Sequence, residues 1–227
     1  MKLNIPSLSS DYRNLSNREM MERMTEAGWR LQDSRRLERT EISAAIESMA
    51  VLHATGLAYR MSIKTNFEKK YPWLTHDLFT SNIAKELIAK HLDSYLHCLS
   101  FVSGAEKVVC QLRRIQPNVF QHLLALRRPT DDLGSRFSTI CHGDLWQGNI
   151  MFRTKEEEGG QLECAMMDFH SACYLSPASD LAHLVLTSCP RNIVTDNQDW
   201  DTMVQEYYNI FNTTLARYTV KNSKDDF

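Results

Sequence analysis

Cys141-His142-Gly143-Asp144-Leu145-Trp146-Gln147-Gly148-Asn149-Ile150-Met151-Phe152, with Met167-Asp168-Phe169-His170 downstream, constrains the fold more than any other stretch. It sets a histidine, two carboxylates and a carboxamide inside apolar flanks, where charged groups are expensive to place. Ile150-Met151-Phe152-Arg153 reads as a strand and Leu162 to Met167 as its return. Thr154 to Gln161 forms the hairpin loop, with Gly159-Gly160 supplying the turn. Asp144 and Asn149 then lie on the loop before the first strand, and Asp168 lies just after the second. A hairpin brings those two ends together, so the three side chains can converge although 24 positions separate the aspartates.

The remaining chain reads as helical. Met1 to Asn17 is polar and without period, and Met20, Met21 and Met24 suggest a short helical turn or a strand end, broken by Gly28-Trp29. From Asp33 onward Leu37, Ile42, Ala45, Ile46, Met49, Leu52 and Leu57 share one broad face. Asp33 or Ser34 serves as the cap of this helix and Gly56 weakens its end. His53 beside the stripe is read as a packed, hydrogen-bonded core histidine rather than a catalytic one. Phe67 to Leu78 is a loop. Helices follow over Ser81 to Phe101 and over Ala105 to Leu126, the second kinked or restarted at Pro117. Arg127-Arg128-Pro129, Asp131-Asp132 and Gly134 close that region. Ser138 to Cys141 is a β-prone lead-in to the polar cluster. Ser176 caps a helix with Pro177 at its first position, Ala178 to Ser188 forms it, and Pro190 ends it. A last helix runs from Trp200 to Tyr218, and Glu156-Glu157-Glu158 is a solvated loop tip. The fold class is mainly α with one small β-hairpin. No parallel sheet with a glycine-rich turn is visible, which excludes a dinucleotide fold.

At 227 residues, with 43% hydrophobic and 24% charged residues, the chain suits one substantial soluble domain. A formal charge of −2 argues against nonspecific nucleic-acid binding. The six cysteines are scattered singly without a C-x-x-C pair, so reduced thiols in an intracellular protein are expected. No signal peptide is read at the N-terminus, and no stretch reaches the roughly 18 apolar residues of a membrane helix. The expectation is a cytoplasmic chain with no nucleic-acid or membrane partner, its oligomeric state open.

His142-x-Asp144 with Asn149 and then Asp168-Phe169 follows the order base, metal ligand, metal ligand used in protein-kinase-like phosphoryl transfer. That chemistry needs positioning and charge neutralisation more than covalent catalysis. Asp144 suits the acceptance of a hydroxyl proton late in the reaction. Asn149 and Asp168 offer the hard oxygen donors that Mg²⁺ prefers. Gly143 keeps the loop tight and His142 braces it. Two other readings stay open. The same residues can be ordinary turn and cap residues. His142-x-Asp144 and Asp168-x-His170 are also mirror-image pairs suited to a metal-dependent hydrolase. A Ser or Cys nucleophile fits poorly, with no G-x-S-x-G and Cys141 inside the β-prone lead-in.

His142-Gly143-Asp144-Leu145-Trp146-Gln147-Gly148-Asn149-Ile150-Met151-Phe152, then Met167-Asp168-Phe169-His170 and Pro177-Ala178-Ser179-Asp180-Leu181, resemble the ecdysteroid-kinase-like (CHK kinase-like) family, relatives of choline kinase and the aminoglycoside phosphotransferases. Met49-Ala50-Val51-Leu52-His53-Ala54 is similar to the family helix that ends in a His-Ala pair. The resemblance implies a protein-kinase-like, aminoglycoside-phosphotransferase-like α+β fold using ATP and Mg²⁺ on a small-molecule alcohol, a steroid-type hydroxyl among the candidates. It assigns Asp144 as base, Asn149 and Asp168 as Mg²⁺ ligands, and Asp180 as a carboxylate bracing the catalytic loop through backbone amides. His170 stands where the family commonly has Gln. Met21 to Trp29 looks like the segment crossing between the lobes. No Gly-rich loop or V-x-x-K strand precedes it, and Lys2 is no substitute. The resemblance therefore implies a large (C-terminal) lobe over residues 21–220, with 1–20 leading in from a missing N-terminal lobe and 221–227 as a polar tail. The nucleotide-gripping residues remain unknown. Both a catalytic lobe and a non-catalytic binding or scaffold lobe agree with this reading.

Overall fold

The computed structural model describes residues 16–32, 35–63, 67–75, 80–127, 137–155 and 160–222. Helix α1 (Asn17–Glu26) opens with a capping box, the Ser16 hydroxyl accepting from the Glu19 amide and the Glu19 carboxylate from the Ser16 amide. A full helix thus stands where the sequence suggested a turn or a strand end. Two residues of strand follow, β1 (Arg30–Leu31).

Helix α2 (Arg39–Ser62) is the axis of the fold. It starts later than the apolar pattern suggested, and Asp33 and Ser34, the expected caps, lie outside the described residues. The Glu41 carboxylate does the local work instead. It is buried and accepts hydrogen bonds from the Glu38 amide (2.9 Å), Gln32 (2.7 Å) and Arg35 (3.2 Å). Of the predicted stripe, Leu37, Ile42, Ala45, Ile46, Met49 and Leu57 are buried and Leu52 is half-buried. Gly56 does not weaken an end. It sits inside the helix where strand β2 (Thr139–Cys141) crosses, and a Cβ there would lie 2.6 Å from Thr139 Oγ1 and 3.2 Å from the Ile140 amide nitrogen.

The segment read as a loop contains a short helix α3 (Phe67–Lys70) and a 3-10 turn (Pro72–Thr75), with residues 76–78 outside the described set. Helix α4 (Asn82–Leu99) is capped by the Ser81 hydroxyl. Helices α5 (Glu106–Ile115) and α6 (Val119–Arg127) are divided by a 3-10 turn that contains Pro117. Between residues 80 and 127 only Leu96 and Ala105 are buried, so Ile83, Phe101 and Leu126 keep most of their apolar surface in water. Arg128-Pro129, Asp131-Asp132 and Gly134 lie outside the described residues, as does the Glu156-Glu157-Glu158 tip.

Among the described residues, two small antiparallel sheets complete the architecture. β3 (Ile150–Lys155) pairs with β4 (Gln161–Met166) in the register Ile150↔Met166 to Lys155↔Gln161, and β1 joins β3 on its other edge. β2 pairs with β5 (Cys173–Leu175), Cys141 opposite Cys173. Helix α7 (Ala178–Ser188) follows, but Pro177 occupies the cap and Ser176 contributes its carbonyl, which accepts from the Ser179 amide. A short α8 (Arg191–Thr195) leads into α9 (Asn197–Asn222), longer than expected and including part of the presumed tail. Residues of α2, β3, α7 and α9 form one core around Ile42, Ile46, Met49, Leu145, Phe152, Leu184 and Met203. Phe211 packs on Ala50, Ala54 and Leu57. Among the described residues, no helix is long and apolar enough to cross a membrane.

Thr139 Oγ1 donates to the His53 carbonyl at 2.7 Å, so it cannot swing aside to admit a side chain at position 56. Gly56→Val should therefore cost about 2 kcal/mol through overpacking, more than helix propensity returns. Thermal unfolding should show a midpoint roughly 4–8 °C lower. An unchanged midpoint contradicts the close crossing.

Candidate active site

The hairpin register fixes the site. Because Ile150 faces Met166, Asn149 and Met167 meet at its open end, and the Met167 amide donates to the Asn149 carbonyl at 2.9 Å. His142 ties the same two segments. Its Nδ1 accepts from the Asp144 amide (3.3 Å), which leaves the proton on Nε2 to donate to the Met167 carbonyl (2.6 Å). The Phe169 ring rests on the imidazole with centroids 4.5 Å apart. Both nitrogens of His142 are thereby occupied, which removes it as a metal ligand and weakens the hydrolase reading. Gly143 has φ 84°, and a Cβ there would overlap the Ser171 carbonyl, so the two turns pack backbone against backbone.

Asp144 is about a third exposed, at 36%. Asn149 Nδ2 donates to its backbone carbonyl (2.8 Å) and to its Oδ2 (3.2 Å). This commits the amide nitrogen of Asn149, and its Oδ1 takes no hydrogen bond among the described residues. Asp168 is 58% exposed and holds the left-handed conformation, φ 60° and ψ 61°, unusual for a residue with a Cβ though commoner for Asp. Its Oδ1 is 2.7 Å from His170 Nδ1. That hydrogen bond, with the Asp168 charge, raises the His170 pKa, and Asp144 contributes in the same sense. The imidazole of His170 therefore senses both aspartates. An amide oxygen and an exposed carboxylate at one hairpin mouth are hard donors, a set that fits a Mg²⁺ ion.

Asp180 lies beneath this loop, 1% exposed. Its Oδ2 accepts from the His142 amide (2.6 Å) and its Oδ1 from the Gly143 amide (3.0 Å). His53 Nε2 is 3.1 Å from Oδ2, and His53 Nδ1 is 2.9 Å from the Tyr207 hydroxyl. Burial pushes the Asp180 pKa up more than any single partner lowers it. Contact with His53 and the two amides together outweigh burial, so the carboxyl is held below its ordinary value. Burial, reinforced by Asp180, pushes the Cys141 thiol well above its usual range. His53, Cys141 and Asp180 bring potential ligand atoms within 4.8 Å of one another. The neutral thiol and the existing hydrogen bonds make this a packed network, and Cys141 is fully buried, which rules out an accessible nucleophile there.

Sequence reasoning missed two partners. The His53–Asp180 contact spans 127 positions and leaves no local trace. His183 Nε2 stands 3.9 Å from Asp144 Oδ1, and its spacing of three from Asp180 on one helix was the available signal. Leu145, next to Asp144, is fully buried in the core, whereas Trp146 is 41% exposed.

Asp180→Asn replaces an acceptor oxygen with an NH₂ group facing a donor, and should cost about 3 kcal/mol. The lowered pKa makes the native contribution full above the ordinary Asp value of about 3.9, and lost as pH falls from there through the folded value. Chemical unfolding between pH 3 and pH 6 should show the wild type losing stability in this acid window while the variant loses less. Gly143→Ala should lose at least about 2 kcal/mol from the left-handed conformation and the backbone overlap, seen as a lower melting temperature.

No curated protein matches the chain. The ecdysteroid kinase-like family matches residues 6–220, nearly the whole length, and the mostly helical architecture with small antiparallel sheets is compatible with a kinase-like fold. The chain belongs to the ecdysteroid kinase-like family.

Proposed function

We propose that residues 21–220 form the large lobe of a kinase that moves a phosphoryl group from ATP to a small-molecule alcohol. The observation that carries this reading is the hairpin mouth itself. Asp144, about a third exposed, has one carboxylate oxygen tied to Asn149 and the other 3.9 Å from His183 Nε2. Beside it are the Asn149 amide oxygen, which takes no hydrogen bond among the described residues, and the exposed carboxylate of Asp168. Mg²⁺·ATP would supply the phosphoryl group and neutralise the charge that develops on it. Asn149 and Asp168 would hold the metal. Asp144 accepts the hydrogen bond of the attacking hydroxyl and takes its proton as that proton becomes acidic. Asp180 and His142 keep the loop in place, so Asp144 need not reorganise during the reaction.

The acceptor we propose is an apolar alcohol of steroid type. Trp146, two residues after Asp144, and Phe169, next to Asp168, expose 41% and 42% of their surface, flat apolar area on the same two turns as the carboxylates. The family name points the same way. Six free cysteines support a cytoplasmic setting.

Asp144→Ala should lower Mg²⁺-dependent ATP turnover at least a hundredfold, as loss of a positioned base does. Its melting temperature should stay close to wild type because the side chain is partly exposed. Unchanged turnover sinks the assignment of the base. A wild-type chain that binds no Mg²⁺·ATP in calorimetry supports a non-catalytic binding lobe instead.

A further inference from the structure

Helix α7 follows the loop 142–149 at three successive points. Asp180 in its first turn takes the amides of His142 and Gly143. His183, one turn later, brings Nε2 to 3.9 Å from Asp144 Oδ1. Ser188, its last residue, accepts from the Gln147 amide at 2.9 Å. Asp180 and Ser188 are buried and hold backbone, while His183 is 31% exposed and reaches a side chain. The first and third contacts fix the loop, so the middle one is left for something else.

The two oxygens of Asp144 have different surroundings. Oδ2 receives the Asn149 amide, and Oδ1 faces His183 across a gap too long for a direct hydrogen bond. Two hydrogen bonds of about 2.8 Å meeting at one oxygen, near a right angle, span that distance. We propose that His183 is an acceptor-binding residue, with one substrate hydroxyl bridging the pair: it donates to Asp144 Oδ1 and accepts from His183 Nε2–H. The inference rests on the kinase reading above. During transfer the hydroxyl O–H bond breaks as its oxygen bonds to phosphorus. The proton goes to Asp144 Oδ1, the nucleoside diphosphate leaves with the electron pair of the broken P–O bond, and His183 keeps its proton. Its role is to fix where the hydroxyl oxygen sits, so that one lone pair is held and another is free to attack.

The test uses the full chain with Mg²⁺·ATP and three acceptors: ecdysone, 1-octanol and water alone. His183→Leu fills similar space without a donor, and His183→Gln places an amide N–H near the position of Nε2. His183→Leu should raise the KM of the alcohol used about five- to tenfold, the loss of one hydrogen bond. The KM for ATP should not change, and His183→Gln should stay within about twofold of wild type. Calorimetry of the alcohol without nucleotide should show the same weakening of binding. Wild-type alcohol KM and affinity in His183→Leu, with Asp144→Ala inactive, overturn the inference and leave the kinase reading standing. Equal losses in the Leu and Gln variants also overturn it, since they indicate packing. A wild-type chain inactive toward all three acceptors overturns the kinase reading, and the inference with it.

Discussion

One buried carboxylate holds the architecture together. Asp180 takes two amides of the loop 142–143 and the imidazole of His53, and His53 in turn reaches Tyr207. A carboxylate with no access to water carries a desolvation cost that only a full set of donors offsets. The donors come from α2 and from the polar loop, and α9 joins through Tyr207. Thr139 adds a bond from β2 to the His53 carbonyl. Each of these elements must be in place for the charge to be tolerated, so the network couples the helical core to the loop that carries Asp144.

The loop is also held from its other side. Gly143 packs against the Ser171 carbonyl, His142 bridges to Met167, and the Asn149 carbonyl accepts the Met167 amide. Two turns that flank the open end of the hairpin thus share hydrogen bonds and backbone contact. Asp168 sits in a left-handed conformation at the point where β4 leaves the sheet and the next turn begins. Strain of that kind persists only where neighbours over-determine it, and here both flanks are pinned. The outer helices contrast with this. α4, α5 and α6 bury almost nothing, so close packing is concentrated around α2 and the polar mouth.

Much of this was legible where the signal is local. The Ile150-Met151-Phe152 run, its return over Leu162 to Met167 and the Gly159-Gly160 pair between them give the hairpin, and an apolar 3.6 pattern over Ser81 to Phe101 gives α4 to within two residues at either end. β1 and β5, two and three residues long, carry no period to detect and exist because a partner strand is beside them. Gly56 looked like a weak helix end because propensity was the only information, whereas its role is close approach to β2. Leu145 adjoins Asp144 in sequence, yet it belongs to the buried core, a partition that the local pattern does not reveal. The motif residues could be placed on loops and strands from sequence, but the polar groups that hold them come from α2, α7 and α9. Contacts across such separations follow from the packed fold alone.

Asp144 and Asp180 show how one residue type serves two ends. Asp180 is almost completely buried, receives hydrogen bonds on both oxygens, and has its pKa held down by partners that exist whether or not a ligand binds. Its proton affinity is spent on structure, and it has no open face. Asp144, about a third exposed, receives one side-chain hydrogen bond among the described residues, on Oδ2, and its Oδ1 lies 3.9 Å from His183 Nε2. A base needs a free lone pair and a fixed position, which ordinarily conflict, since the contacts that fix a carboxylate occupy its oxygens. Here the conflict is resolved by dividing the tasks. Asp180 fixes the backbone on which Asp144 is carried, Asn149 orients one oxygen, and the other remains available for chemistry.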